Sequence, residues 1–251
     1  MNENIKIAGG RNIGLQAAQF EWIAIHDADD IMLPHRLETQ ARAIRENPDV
    51  FGWGAWAQFM SAEGQLYHRL EMGPTTRKNF AARRAKSQLI TFKDPTFVYR
   101  RDLALMVGGY KALFQRVPDF DLMDHLADCG VMLTIPEVVT HYRVHSNATT
   151  QGKQERNNLE TRYLYYRRGE QDAGRPIPTF EIFMDWYRSQ SWWTRIRWHL
   201  VDLSRERRYV LPIHLVQKAH VRVVLGLVTA VMANPGWFID KVARVLKIRQ
   251  A

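Results

Sequence analysis

The sequence predicts an α/β domain followed by a basic, mainly helical extension. Three observations carry that prediction. The apolar run Trp22-Ile23-Ala24-Ile25 ends abruptly in the acidic turn His26-Asp27-Ala28-Asp29-Asp30, and a helical pattern follows. Further β-rich runs alternate with helical patterns as far as Val144, which is the rhythm of an α/β fold. The charge is also split. Residues 1–150 hold 17 Lys+Arg and 17 Asp+Glu, whereas residues 151–251 hold 18 and 9, so the whole net charge of +9 falls in the second part. That partition predicts two regions with different work, 1–150 and 151–251, the second facing something anionic. A composition of 46% hydrophobic and 24% charged residues excludes a disordered or collagenous chain. The single cysteine, Cys129, excludes an intrachain disulfide and fits a reducing compartment.

The elements follow in order. Gly9-Gly10-Arg11-Asn12-Ile13-Gly14 reads as a glycine turn leading into Leu15-Gln16-Ala17-Ala18. Residues 22–25 read as a buried strand. Pro34 suits the first turn of a helix in which Leu37, Ala41 and Ile44 share a face, and Asn47-Pro48 stops it. Val50 to Met60 reads as a strand, with Glu63-Gly64 as a turn and Gln65 to Leu70 returning as its hairpin partner. Residues 73–93 are polar and basic and read as a mobile loop or an exposed helix. Thr96 to Tyr99 is a strand, and Leu103 to Val107 a short helix closed by Gly108-Gly109. Asp119 to Asp128 is a helix, with Leu122, Leu126 and Cys129 on one face. Two strands, 131–135 and 138–144, are expected on either side of Pro136.

Beyond Thr150 the character changes. Residues 153–170 predict a polar helix, and Gly174-Arg175-Pro176-Ile177-Pro178 a linker. Tryptophans and arginines then crowd a helical stretch. Residues 223–239 carry no charge, but Asn234-Pro235-Gly236 interrupts them and a bilayer crossing needs about 20 residues. A helix lying in the membrane interface fits better, with lipid preferred over nucleic acid as the partner.

Four constellations could carry chemistry. Asp27-x-Asp29 after a strand can hold a divalent cation, since hard cations take carboxylate oxygens. A solvated acidic loop is the plain alternative. A calcium loop fails on spacing, because its glycine position would be Met32. Arg11 and Asn12 among glycines could approach a phosphate, although neither common nucleotide-loop signature is present. Asp119 and Asp121 at a helix start diverge, so one can face a cleft as a general base while the other caps. His141, Arg143 and His145 would share one face of a strand, which makes His145 a candidate metal or diphosphate contact.

In order and spacing these pieces resemble the family 2 glycosyltransferases of the GT-A (Rossmann-like) fold. The resemblance is carried by Gly10-Arg11-Asn12-Ile13-Gly14, by Trp22 through Pro34, by Asp94-Pro95-Thr96-Phe97-Val98-Tyr99-Arg100-Arg101, and by Val107-Gly108-Gly109-Tyr110. Asp119-Phe120-Asp121-Leu122 and Pro136 through His145 complete it. It implies an inverting, metal-dependent transferase in polysaccharide biosynthesis. Arg11, Asn12, Asp27 and Asp29 would bind the nucleotide-sugar donor. Asp29 would hold Mg²⁺ or Mn²⁺, with His145 nearby, and Asp119 would take the acceptor proton. The acceptor would be a glycan or a lipid-linked sugar, and the enzyme would sit peripherally on the cytoplasmic face of an anionic cell membrane.

Two departures matter. Pro118 stands where the family usually has Glu before the base. The family's opening strands, which hold the donor base and ribose, have no counterpart ahead of Gly9. The resemblance therefore implies a partial, N-terminally truncated GT-A domain that is poorly active alone, or else a non-catalytic remnant that binds a membrane or partner.

Overall fold

The computed structural model describes residues 6–144 and 154–202. Two compact units are present, 1–179 and 180–251.

The first unit opens with helix α1 (Lys6–Ala17). The expected glycine turn is thus inside a helix. Glycine is a poor helix former, but tertiary contacts override propensity here. Ala8 and Leu15, two turns apart, are buried on one face. The Asn12 amide clamps the backbone of Tyr110 from both sides. Its Nδ2 donates to the Tyr110 carbonyl at 2.8 Å, and the Tyr110 N–H donates to its Oδ1 at 2.8 Å.

A six-stranded sheet forms the core. Its strands are β1 (Trp22–Ala24), β2 (Ile31–Met32), β3 (Val50–Ser61), β4 (Leu66–Leu70), β5 (Val98–Arg100) and β6 (Val131–Val144). The order is β1-β5-β3-β6-β2, and β4 pairs with β3 as its hairpin partner. β3 and β6 run parallel and the remaining pairings are antiparallel. Nine of the twelve residues of β3 are buried, as befits a strand covered on both faces. Gly52 and Gly54 make room within it. A Cβ at Gly52 would meet Met132 Sδ at 2.8 Å, and one at Gly54 would overlap the Phe92 ring.

The two strands expected on either side of Pro136 are one strand. Ile135 pairs with Ala55 and Val138 with Trp56, so Pro136 and Glu137 bulge out of the ladder. The bulge accommodates a residue with no N–H to donate. The short strand β2, which pairs with Thr140 and His141, is an addition to the sequence reading.

Helix α2 (Arg36–Glu46) buries polar residues most deeply, while of the expected apolar face Ile44 packs against the core and Ala41 is half-buried. Arg36, Thr39 and Gln40 are buried, while Leu37 is 55% exposed. The polar side chains satisfy carbonyls at the ends of neighbouring segments. Arg36 Nη2 donates to the Ile25 carbonyl at 2.6 Å, and Gln40 Nε2 to the Thr96 carbonyl at 2.7 Å. Within 73–93 lies helix α3 (Arg77–Arg84), whose Thr76 hydroxyl caps it by accepting from the Asn79 N–H. α4 (Arg101–Met106) and α5 (Pro118–Cys129) follow as expected.

Helix α6 (Gln154–Asp172) belongs to the first unit, so the boundary expected at 150 moves to 179. Ion pairs hold α6 against α5. Arg167 pairs with Asp121 at 2.5 Å, and Arg168 pairs with Asp124 at 2.9 Å and with Asp128 at 2.7 Å. The chain divides just past the Gly174–Pro178 linker. In the second unit α7 (Phe180–Ser189) precedes a further helical stretch at 192–202. Among the described residues no helix is long and apolar enough to cross a membrane. The uncharged run 223–239 and the expected interfacial helix lie outside the described residues.

Gly109 has φ +63°, and a Cβ there would stand 2.5 Å from Asn12 Oδ1. Gly109→Ala is therefore expected to destabilise the fold by about 1–3 kcal/mol. A thermal unfolding midpoint equal to that of the parent would count against the Asn12 clamp.

Candidate active site

The turn after β1 brings the acidic residues to the surface. Arg36 holds the strand end through the Ile25 carbonyl, and its Nη1 lies 3.3 Å from His26 Nδ1. From β6, Arg143 ties down the other end. Its N–H donates to Asp30 Oδ1 at 2.8 Å, its Nε to the Asp29 carbonyl at 2.7 Å, and its Nη1 to the Ala62 carbonyl at 2.7 Å. The turn is thus fixed by two arginines from different elements.

A cleft of about 870 Å³ opens over this turn. α1 supplies Arg11, the acidic turn supplies Asp27 and Asp29, and the start of α5 supplies Asp119. Lys93 and Asp94 enter from the segment before β5. Four of the residues singled out from sequence therefore share one cavity. Asn12 does not join them, because both polar atoms of its amide are engaged by Tyr110. It fastens α1 to the turn at Tyr110 and does not line the cavity. His145 lies outside the described residues.

Arg11 is the electrostatic hub. Its Nη2 lies 2.9 Å from Asp27 Oδ1 and 2.5 Å from Asp94 Oδ2. Burial works against the guanidinium charge, but Asp94, Tyr110 and Asp27 outweigh it and hold Arg11 protonated. Arg11 Nη1 and Asp94 Oδ1 are buried and have no hydrogen-bond partner among the described residues. These are polar atoms a ligand in the cleft could satisfy. Behind them the Tyr99 and Tyr110 hydroxyls meet at 3.0 Å, and Lys93 Nζ sits 3.4 Å from the centre of the Tyr142 ring.

The carboxylates are not alike. Burial pushes the Asp119 carboxyl up to about 7; negative Asp94 adds to the shift, while Arg11 and Lys93 oppose it. Burial likewise raises Asp30 to about 7, against the Arg143 N–H that favours its charged form. Asp94 is also raised by burial, though Arg11 pulls it the other way. Charges sharing a desolvated cleft separate in this manner, and such a separation marks functional sites more often than passive surface.

The sequence profile of glycosyl transferase family 2 matches residues 1–107. The likeness to that family thus rests on the first 107 residues. An uncharacterized glycosyltransferase of Haemophilus influenzae is 26% identical over 147 residues, 57% of this chain and 52% of its own length. The O-antigen biosynthesis glycosyltransferase WbnJ of Escherichia coli is 26% identical over 145 residues, 55% of this chain and 53% of its own. The chain thus spans about half the length of these curated relatives. A mannosyltransferase of Pyrobaculum calidifontis, solved with GDP-Man and Mn²⁺, aligns at 17% identity with a TM-score of 0.42, over 100% of this chain and 61% of its own. The family match covers the acidic turn, Arg11 and Asp94, while Asp119 and α6 lie beyond it.

The sequence does not single out Asp94, which lines the cleft and stands in the run that carries the resemblance. The available signal was a carboxylate directly before Pro95-Thr96 and a strand, a place where a buried charge needs a partner. Asp94→Asn should lower the Asp119 carboxyl from about 7, since a negative neighbour is removed. Carbon-13 titration of the Asp119 carboxyl measures this directly, and an unmoved midpoint would disconnect the two groups.

Proposed function

We propose that the cleft transfers a sugar from a nucleotide-sugar donor to a hydroxyl of a glycan or lipid-linked acceptor, with inversion. The observation that carries this reading is the convergence of Arg11, Asp27, Asp29 and Asp119 in one cavity of a chain whose residues 1–107 match glycosyl transferase family 2. Arg11 would meet the donor, with its unpartnered Nη1 available for an anionic oxygen.

The residues fit a divalent cation shared with the donor, not one caged by protein. Among the described residues no group of three or more His, Cys, Asp or Glu could hold a metal. Asp27 is ion-paired with Arg11, while Asp29 is exposed in the cleft. Mg²⁺ is characteristically held by one or two carboxylates plus substrate phosphates, and the oxygen chemistry of this turn matches that. Asp29 would hold the ion, which when bound neutralises charge on the departing diphosphate.

Asp119 acts as the general base. It accepts the proton of the acceptor hydroxyl, whose oxygen forms the new bond to the anomeric carbon on the face opposite the leaving nucleoside diphosphate. A carboxyl held near 7 is poised for this, because a base works best when its affinity for protons is close to the working pH. The active form is the carboxylate. Turnover should therefore fall as pH drops below about 7, not below the ordinary carboxylate value of about 4.

Membrane attachment through the second unit is part of the same reading. Trp192 and Trp193 stack at 3.7 Å and are 55% and 65% exposed, with Ile196 also exposed. Arg188, Arg195 and Arg197 lie close by in sequence. Exposed indole rings beside arginines suit an anionic lipid surface.

Two outcomes are expected. Asp119→Asn should retain a Mn²⁺-dependent thermal shift with one of UDP, GDP or dTDP. It should lose about 10²–10⁴-fold in nucleotide release from the matching nucleotide-sugar. Retained turnover would assign the base elsewhere. Trp192→Ala with Trp193→Ala should weaken sedimentation with phosphatidylglycerol vesicles and leave that thermal shift alone. Equal sedimentation would remove these residues from the lipid contact.

A further inference from the structure

Helix α5, which carries Asp119 in its first turn, does not cap itself. Val117 stands at its N-cap position and makes no side-chain cap, and Pro118 has no N–H. The turn leading into it presents the N–H groups of Gln115, Arg116 and Val117. All three are taken by one carboxylate from α6. Glu160 Oε1 accepts from Gln115 N–H at 3.1 Å, and Oε2 from Arg116 and Val117 N–H at 2.9 and 3.2 Å. Arg156 Nε adds a fourth bond to Oε1 at 2.6 Å. The Glu160 side chain is fully buried. A buried carboxylate with four donors, one of them a guanidinium, is satisfied in charge and in hydrogen bonds, and it is correspondingly rigid.

The backbone it grips is the edge of the cleft. Arg116, Pro118 and Asp119 line the cavity, and so does Asn157, three residues before Glu160 on α6. Moving the 115–117 turn therefore moves Asp119. We propose that Glu160 is a positioning residue for Asp119, fixing the start of α5 so that the carboxyl stays in its desolvated place in the cleft. This rests on the reading of Asp119 as the base. It assigns to α6 a share in catalysis, where the sequence had placed that segment in a membrane-facing extension.

The test uses the whole chain and the variant Glu160→Gln, which keeps the shape but replaces one acceptor with an N–H₂ group facing donors. The groups that set the Asp119 titration, namely Asp94, Arg11 and Lys93, are untouched by it. The carbon-13 midpoint of Asp119 is expected to fall from near 7 toward the ordinary carboxylate range. Turnover should drop about tenfold or more, while the Mn²⁺-dependent thermal shift with nucleoside diphosphate persists. A lower melting temperature with an unmoved Asp119 midpoint and unchanged turnover would make Glu160 a structural cap only, and overturn the proposal. Should the variant not fold, amide exchange of the parent chain decides. Arg116 and Val117 N–H are expected to be as protected as those of β3, and free exchange would refute the grip. Asp119→Asn runs in parallel. If it keeps full turnover the base reading fails, while the titration and exchange still judge Glu160 separately.

Discussion

The parallel pairing of β3 with β6 runs from Val50 opposite Val131 to Ser61 opposite Val144, and every wall of the cleft hangs from it. β5 and β4 share the far edge of β3, and β2 hangs on the outer edge of β6. β1 reaches the sheet only through β5. Parallel pairing is stable when both faces are covered, and nine of the twelve residues of β3 are buried. The glycines at 52 and 54 are what allow Phe92 and Phe97 to lie against that strand. Because Phe92 immediately precedes Lys93 and Asp94, the close packing at Gly54 also sets where two charged residues enter the cleft.

Charge held away from water is the second constraint. Arg11 with Asp94, and Arg84, Arg167 and Arg168 with Asp121 and Asp124, are paired where solvent is largely excluded, while Asp27 and Asp128 close these clusters at the surface. Such pairs gain little net stability over apolar packing, but losing one partner strands the other at high cost. They specify which helix lies against which, and at what register. The α5–α6 pairs fix one such interface, and the site reads that interface through Glu160.

The acidic turn, the strand before it and the helix that starts at Pro118 are legible because their signals are local: a strand that ends in carboxylates, a proline at a helix start. What escaped the sequence was polar burial. Apolar spacing places Leu37, Ala41 and Ile44 inside, and Ile44 does pack on the core, but Leu37 is exposed and α2 buries Arg36, Thr39 and Gln40 more deeply because carbonyls of distant segments need donors. Arg143 and Asp94 escaped for the same reason, since their partners lie far away in sequence. The Asn12 clamp is not visible in sequence, because a side-chain amide that holds a remote backbone looks there like one that binds a phosphate. The glycine-rich start of α1 was read as a turn because propensity was weighed without the contacts that overrule it.

The charge split carries more information once the unit boundary is known. Residues 180–251 hold 12 Lys+Arg against 5 Asp+Glu, so most of the +9 lies beyond Thr179. Within α6, Arg156, Arg167 and Arg168 are committed to internal carboxylates and offer little field to an outside partner. An arginine buried against an aspartate counts in composition but not at the surface. Cutting the chain at 150 mixed these structural arginines with the others, and so credited α6 with a role at a membrane. Moved to 179, the same composition separates a helix that contributes Asn157 to the cleft from a basic, tryptophan-bearing unit.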